Sequence, residues 1–267
     1  MNKNFIKLIT LCIICALFFI VKGCKNSDPF LENNMDEQTL NPVTRSGELT
    51  WDYPVKPGTS TWNQFETVND MFQACQIPDN ILKQLDTESL MEICLSYPAP
   101  PLFTIFNTPQ HGFMWYYDNF NGIQELFQRE DAGQYLLKKY SSMSLSEFDP
   151  LWELQQQGKF VNNYKFVETI LSQPQVIESL DSEGRKALLK EATKKMDEKL
   201  LKDDLFSGYN IEINLWVIGK LLYNEDNSCL RGLNQKNLQT AMETGVFEDI
   251  DVDMIYQLAK NKTYENE

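Results

Sequence analysis

Histidine is the scarcest functional residue of the chain: His111 is the single one in 267 residues. That removes a histidine-rich metal site and makes any serine or cysteine triad depend on one imidazole. No G-x-S-x-G turn offers a serine nucleophile, and no local cysteine-protease signature surrounds Cys75, Cys94 or Cys229. His111, between Gln110 and Gly112, reads as an ordinary surface histidine in a loop. Glycine-rich phosphate cradles are missing as well: neither G-x-x-x-x-G-K-[ST] nor G-x-G-x-x-G occurs. Basic charge is also short, with 24 Lys and Arg against 38 Asp and Glu for a net charge of −14. Such a balance excludes nucleic acid as a partner and disfavours adsorption to anionic headgroups, since both need a basic surface.

Strand signals are sparse too. Few segments alternate with period two, and β-branched residues are scattered. Cysteine totals six, but Cys12, Cys15 and Cys24 fall within the first 24 residues. The remaining three are odd in number and widely spaced, which suggests neither a disulfide framework nor a zinc site. A Cys75–Cys94 bridge and a pair of buried thiols are the two readings left open. No cofactor is implied.

Carboxylates, by contrast, abound, so a glycosidase-type pair is open by count. No segment frames such acids with aromatics in a cleft-forming loop. Asp249, Asp251 and Asp253 begin like a calcium loop, but the sixth and twelfth places hold Met254 and Lys260 instead of Gly and Glu. No metal site is assigned. Asn261-Lys262-Thr263 matches a glycosylation acceptor in form only.

The most explicit stretch is residues 1–24. Lys3 and Lys7 give a basic start, and Leu8 to Val21 is an apolar run of about fourteen residues. This is the layout of a secretory signal and short for a membrane span. The run closes in Val21-Lys22-Gly23-Cys24, which resembles the lipobox of bacterial lipoproteins, with Lys22 departing from the usual small or hydroxyl residue. The resemblance implies that Cys24 is lipidated by acyl chains such as palmitate and that residues 1–23 are removed. Several acyl chains anchor far more firmly than one, at about 0.8 kcal/mol per buried methylene. The rival readings are an ordinary cleaved signal and an uncleaved amino-terminal anchor.

Lys25 and Asp28 resemble, in reduced form, the short tag of exported Bacteroidales lipoproteins, which carries a run of acids where this chain has one. Lys25, rather than Asp, after the cysteine favours the outer membrane by analogy with other Gram-negative lipoproteins. The whole chain resembles envelope lipoproteins of that group, a resemblance that brings no activity with it. Removing 23 of 267 residues leaves 244, and the leader's three lysines and no acids take the net charge from −14 to about −17.

Hydrophobic content of 42% with 12% aromatics suffices for a packed core. Residues 24–60, rich in Asn, Asp, Ser, Thr, Pro and Gly, read as a tether, with Trp51 and Tyr53 packing its end onto a helical domain at 61–267. The expected fold is all-α, an irregular helical domain or an α-solenoid of helix pairs.

Within that domain Thr61 with Gln64, and Ser144 with Glu147, fit capping boxes, and Thr87 is expected to cap a helix over 88–97. Phe113, Tyr116, Tyr117 and Phe120 recur at helical spacing and read as core rather than as a sugar-binding platform, with Trp115 off that stripe. Phe120-Ile123-Leu126-Phe127, Tyr164-Val167-Ile170-Leu171 and Leu215-Ile218-Leu221-Leu222 share one spacing, 44 and 51 residues apart, which motivates the solenoid alternative. Ser182–Asp204 is the clearest long helix. Leu189, Ala192, Met196 and Leu200 give its buried stripe, Glu191–Lys195 and Glu198–Lys202 its i,i+4 pairs, and its lysines a solvated face.

The expected function is that of a lipid-anchored, non-enzymatic binding or accessory protein of the bacterial envelope, on the periplasmic or outer face of the outer membrane. It would hold the membrane through its lipid and a protein or glycan partner through its body. A carboxylate-based hydrolase acting on a glycan and a structural envelope spacer are the alternatives. Cys24 is the one site residue assigned.

Overall fold

The computed structural model describes residues 43–45, 48–98, 106–202, 204–206 and 208–264. The leader, Cys24, Lys25 and Asp28 lie outside the described residues. The fold is all-α. Its helices are α1 (Val68–Ala74), α2 (Asp79–Leu82), α3 (Thr87–Leu95), α4 (Pro109–Asn119), α5 (Asn121–Leu126) and α6 (Ala132–Ser142), then α7 (Leu154–Leu171), α8 (Pro174–Ser179), α9 (Ser182–Leu200), α10 (Tyr209–Asp226), α11 (Gln235–Thr244) and α12 (Val252–Tyr264). The described residues also hold one short antiparallel pair, β1 (Val43–Arg45) with β2 (Glu48–Thr50), in the register Val43 opposite Thr50.

The helix starts are set by local side-chain chemistry, though not always at the expected residue. Asp86 rather than Thr87 caps α3, accepting from the Ser89 amide at 2.7 Å, while Thr87 lies inside the helix and donates to Asp131. A full capping box forms at Thr67 with Asp70. Neither expected box does: Thr61 makes no side-chain cap, and Ser144 accepts from Ser146 at a single 3₁₀ turn, Leu145–Glu147. Thr61 already has helical backbone angles, φ −64° and ψ −44°, which an N-cap does not, and the Ser144 hydroxyl is engaged by the hydroxyl and amide of Ser146. Asp181 caps α9 through the Gly184 amide, and Gly245 closes α11 in the left-handed conformation.

One apolar core runs through the domain. Helix α10 lies at its centre, packed on α7, α9, α11 and α12. Ile213, Leu215, Trp216, Val217 and Ile218 are all buried, so α10 presents apolar surface nearly all round, as a central helix must. The aromatic stripe is core: Phe113, Tyr116 and Phe120 are buried and Tyr117 half-buried, while Trp115 packs edge-on against Phe72. The three repeat-like sets are buried apart from half-buried Phe127. Yet α11 packs on α4, more than a hundred residues earlier, a contact a nearest-neighbour stack does not make. Upstream, Trp51 and Tyr53 are buried, and the Tyr53 hydroxyl donates to the Ile93 carbonyl at 2.8 Å.

Helix α9 departs from expectation on its buried face. Leu189, Ala192 and Met196 are buried, but Leu200 is 45% exposed and Lys195 and Lys199 are inside. The lysine face is therefore solvated only in part. The Glu191–Lys195 pair forms at 2.9 Å, whereas Lys202 lies over the Phe148 ring instead of pairing with Glu198.

Candidate functional site

The polar interior of the bundle is the first candidate. Glu168 stands on α7 between Val167 and Thr169, Lys199 on α9, Tyr140 on α6 and Asn214 on α10, each with no exposed surface. Lys199 Nζ donates to both carboxylate oxygens of Glu168, at 2.5 and 2.7 Å. The Tyr140 hydroxyl and Asn214 Nδ2 donate to Oε1 at 2.7 and 3.0 Å, and Asn214 also donates to Tyr140. Burial pulls the Lys199 ammonium below its ordinary pKa, and Glu168 pulls it back. Burial, with Glu168 beside it, raises the Tyr140 hydroxyl.

Lys195 extends this cluster. Its ammonium donates to the Met143 carbonyl at 2.6 Å and faces the Tyr140 ring at 4.9 Å. The carboxylate thus draws donors from three helices onto its own, and all of them are sealed from water. Chemically the arrangement joins α6, α7, α9 and α10, and no substrate reaches it without opening the core.

At the surface, exposed apolar side chains stand where α7 begins and where α9 ends, here called the leucine corner. Leu151 is 90% exposed, Leu154 60% and Leu201 86%. The two segments meet through Lys202, whose ammonium sits 5.8 Å from the Phe148 ring. Phe148, Trp152 and Phe160, close in sequence to Leu151 and Leu154, form a half-buried aromatic cluster with centroids 5.7 to 5.8 Å apart. Asp149, Glu153 and Asp204 are exposed beside the leucines.

The residues singled out from sequence do not converge. Cys24 lies outside the described residues. His111 is exposed in the first turn of α4 rather than in a loop, its amide capped by Thr108 and its ring 5.1 Å from Phe106. Cys75 and Cys94 are buried thiols without a bridge, and Cys229 is half-buried. Asp251 caps α12 through the Met254 amide. Among the described residues no cluster of three or more His, Cys, Asp or Glu side chains could hold a metal ion, and no helix is long and apolar enough to cross a membrane.

The buried charges were missed, although a signal existed. Glu168 stands with Thr169 inside the run Phe166–Leu171, and Asn214 interrupts the otherwise apolar run Ile213–Ile218. Comparison of the chain with protein-family models, with curated proteins and with solved structures finds no match.

Proposed function

We propose that the chain is a lipid-anchored protein of the bacterial cell envelope, held to the outer membrane through Cys24, that acts without catalysis by binding a protein partner. The anchor rests on the lipobox-like Val21–Cys24. The single observation that carries the binding half is the leucine corner. Exposed apolar side chains scattered one by one are ordinary, but Leu151, Leu154 and Leu201 are large and strongly exposed on two segments that the Lys202–Phe148 contact brings together, which supports an interaction surface.

The corner also fixes the partner's chemistry. Asp149, Glu153 and Asp204 beside the leucines call for an apolar pocket rimmed by Lys or Arg. A second copy of this acidic chain would bring like charge to like charge. The leucine side chains themselves offer a glycan no hydrogen bonds.

The anchor is tested by intact-mass analysis of membrane-extracted protein together with protease shaving of whole cells. A mass of residues 24–267 plus acyl chains is expected, and an unlipidated mass removes the anchor. The corner is tested with a photo-crosslinker at position 154 in growing cells. One discrete adduct is expected, lost in the Leu201→Asp variant and weakened by salt, while the melting temperature of that variant stays within about 1 °C of the parent, as for exposed positions. An adduct indifferent to Leu201→Asp sinks the corner, and turnover of a polysaccharide by the purified protein would favour the hydrolase reading instead.

A further inference from the structure

The opposite end of α9 carries a second feature. A cleft of about 460 Å³ opens between α8, α9 and α10. Helix α9 offers it Arg185, Lys186 and Leu189 from one face, by the three- and four-residue spacing that brings side chains together. Its floor is Ile177, Leu189 and Leu221, all buried. From Arg185 to Leu201 the chain rises about 24 Å along the helix, at about 1.5 Å per residue.

The rim is charged with both signs, and its charges are not equally occupied. Lys186 pairs with Glu183 at 2.8 Å, and Glu225 pairs with Lys262 at 2.9 Å. Arg185 and Glu178 have no ion-pair partner among the described residues. Half-buried Arg185 is nonetheless held in place, since Nη1 donates to the Leu180 carbonyl, and its other N–H groups are unspent. A guanidinium fixed in this way offers a fork that a carboxylate fits through two parallel hydrogen bonds.

We propose that this cleft binds a short peptide with free ends and apolar side chains, its carboxylate on Arg185, its ammonium on Glu178 and a side chain on the Ile177–Leu189–Leu221 floor. A ligand of one sign does not match the rim. A dianion such as phosphate would meet the carboxylates of Glu178 and Glu225 and leave the floor uncovered. A purely apolar ligand would desolvate Arg185 without giving it a partner. A zwitterion with an apolar side chain answers all three parts of the surface. The site is separate from the leucine corner and depends on neither the anchor nor the partner proposed above.

The experiment is equilibrium dialysis of purified full-length protein in detergent against leucyl-leucine, its N-acetyl form and its amide. The free dipeptide is expected to bind saturably at one per chain, and each capped form about tenfold more weakly or worse. Arg185→Met should weaken the free dipeptide at least as much as the amide cap does. Glu178→Gln, at an exposed position that leaves the fold intact, should weaken the free dipeptide and leave the N-acetyl form unchanged. No binding at millimolar concentration overturns the proposal. So does binding no better than that of the capped forms, or binding indifferent to Glu178→Gln.

Discussion

Lys199 shows how much one side chain commits the bundle. Its ammonium is buried against Glu168, and burying either ion alone is far costlier than burying the pair. Lys199→Met removes the cation and leaves a buried carboxylate with two neutral donors, Tyr140 and Asn214. A loss of about 3–5 kcal/mol is expected from that single change. Glu168→Leu with Lys199→Met removes both ions together, and most of the loss should return. Urea unfolding of the two single variants and the double variant measures this. If the two single losses simply add, the residues are not coupled and the pair is not what joins α7 to α9.

At the scale of the element, apolar stripes were more legible than helix starts, since Thr61, Ser144 and Thr87 do not cap as expected. Gly245 closes α11 in the left-handed conformation that favours glycine, with φ of 78°. Its amide bonds the Ala241 carbonyl at 2.8 Å, and a Cβ added at this position would fall 2.9 Å from Pro109 and 3.0 Å from Trp216. Gly245→Ala therefore combines backbone strain with a collision against α4 and α10. A loss of about 1–3 kcal/mol is expected, seen as a melting temperature lower by roughly 2–10 °C. An unchanged melt would mean that the α11–α4 contact yields.

The polar side of a face was less legible, for a definite reason. Periodicity reports which positions share a side, and on α9 it selected Leu189, Ala192 and Met196 correctly. It cannot report that Glu168 waits on another helix to receive Lys199, so a lysine stripe beside acids looks solvated. The leucine corner was hidden likewise. Leu200 and Leu201 extend an apolar pattern at a helix end, and only the packed structure shows that they stay exposed. The cleft, too, depends on three helices meeting, which no single stretch of sequence encodes.

For the whole molecule, these buried groups combine into an unusual pH profile. Lys220 is 9% exposed, rests 4.7 Å from the Trp216 ring and has no ion pair among the described residues. Burial moves its pKa from 10.5 to about 8. Between those values the unfolded chain still holds a proton that the folded chain has released, so stability rises with pH across the window. The gain from Lys220 is about 3 kcal/mol at most, and Lys199, shifted the same way by burial, acts with the same sign.

Tyrosines reverse the trend. Tyr53, Tyr97, Tyr116 and Tyr140 are buried, and burial raises each hydroxyl above its ordinary 10. Above pH 10 the unfolded chain loses protons that the folded chain retains, and stability falls. Urea unfolding at intervals from pH 7 to 11 should therefore show a maximum displaced to roughly pH 9–10, with a steep loss beyond it. Lys220→Met separates the two limbs. It should raise stability at pH 7 by about 1–3 kcal/mol, because an unpaired ammonium no longer has to be buried. It should also shrink the rise above pH 8 and leave the tyrosine-driven fall in place. A variant whose profile keeps the full alkaline rise would show that Lys220 does not titrate near 8, and the desolvation argument for this helix would fail with it.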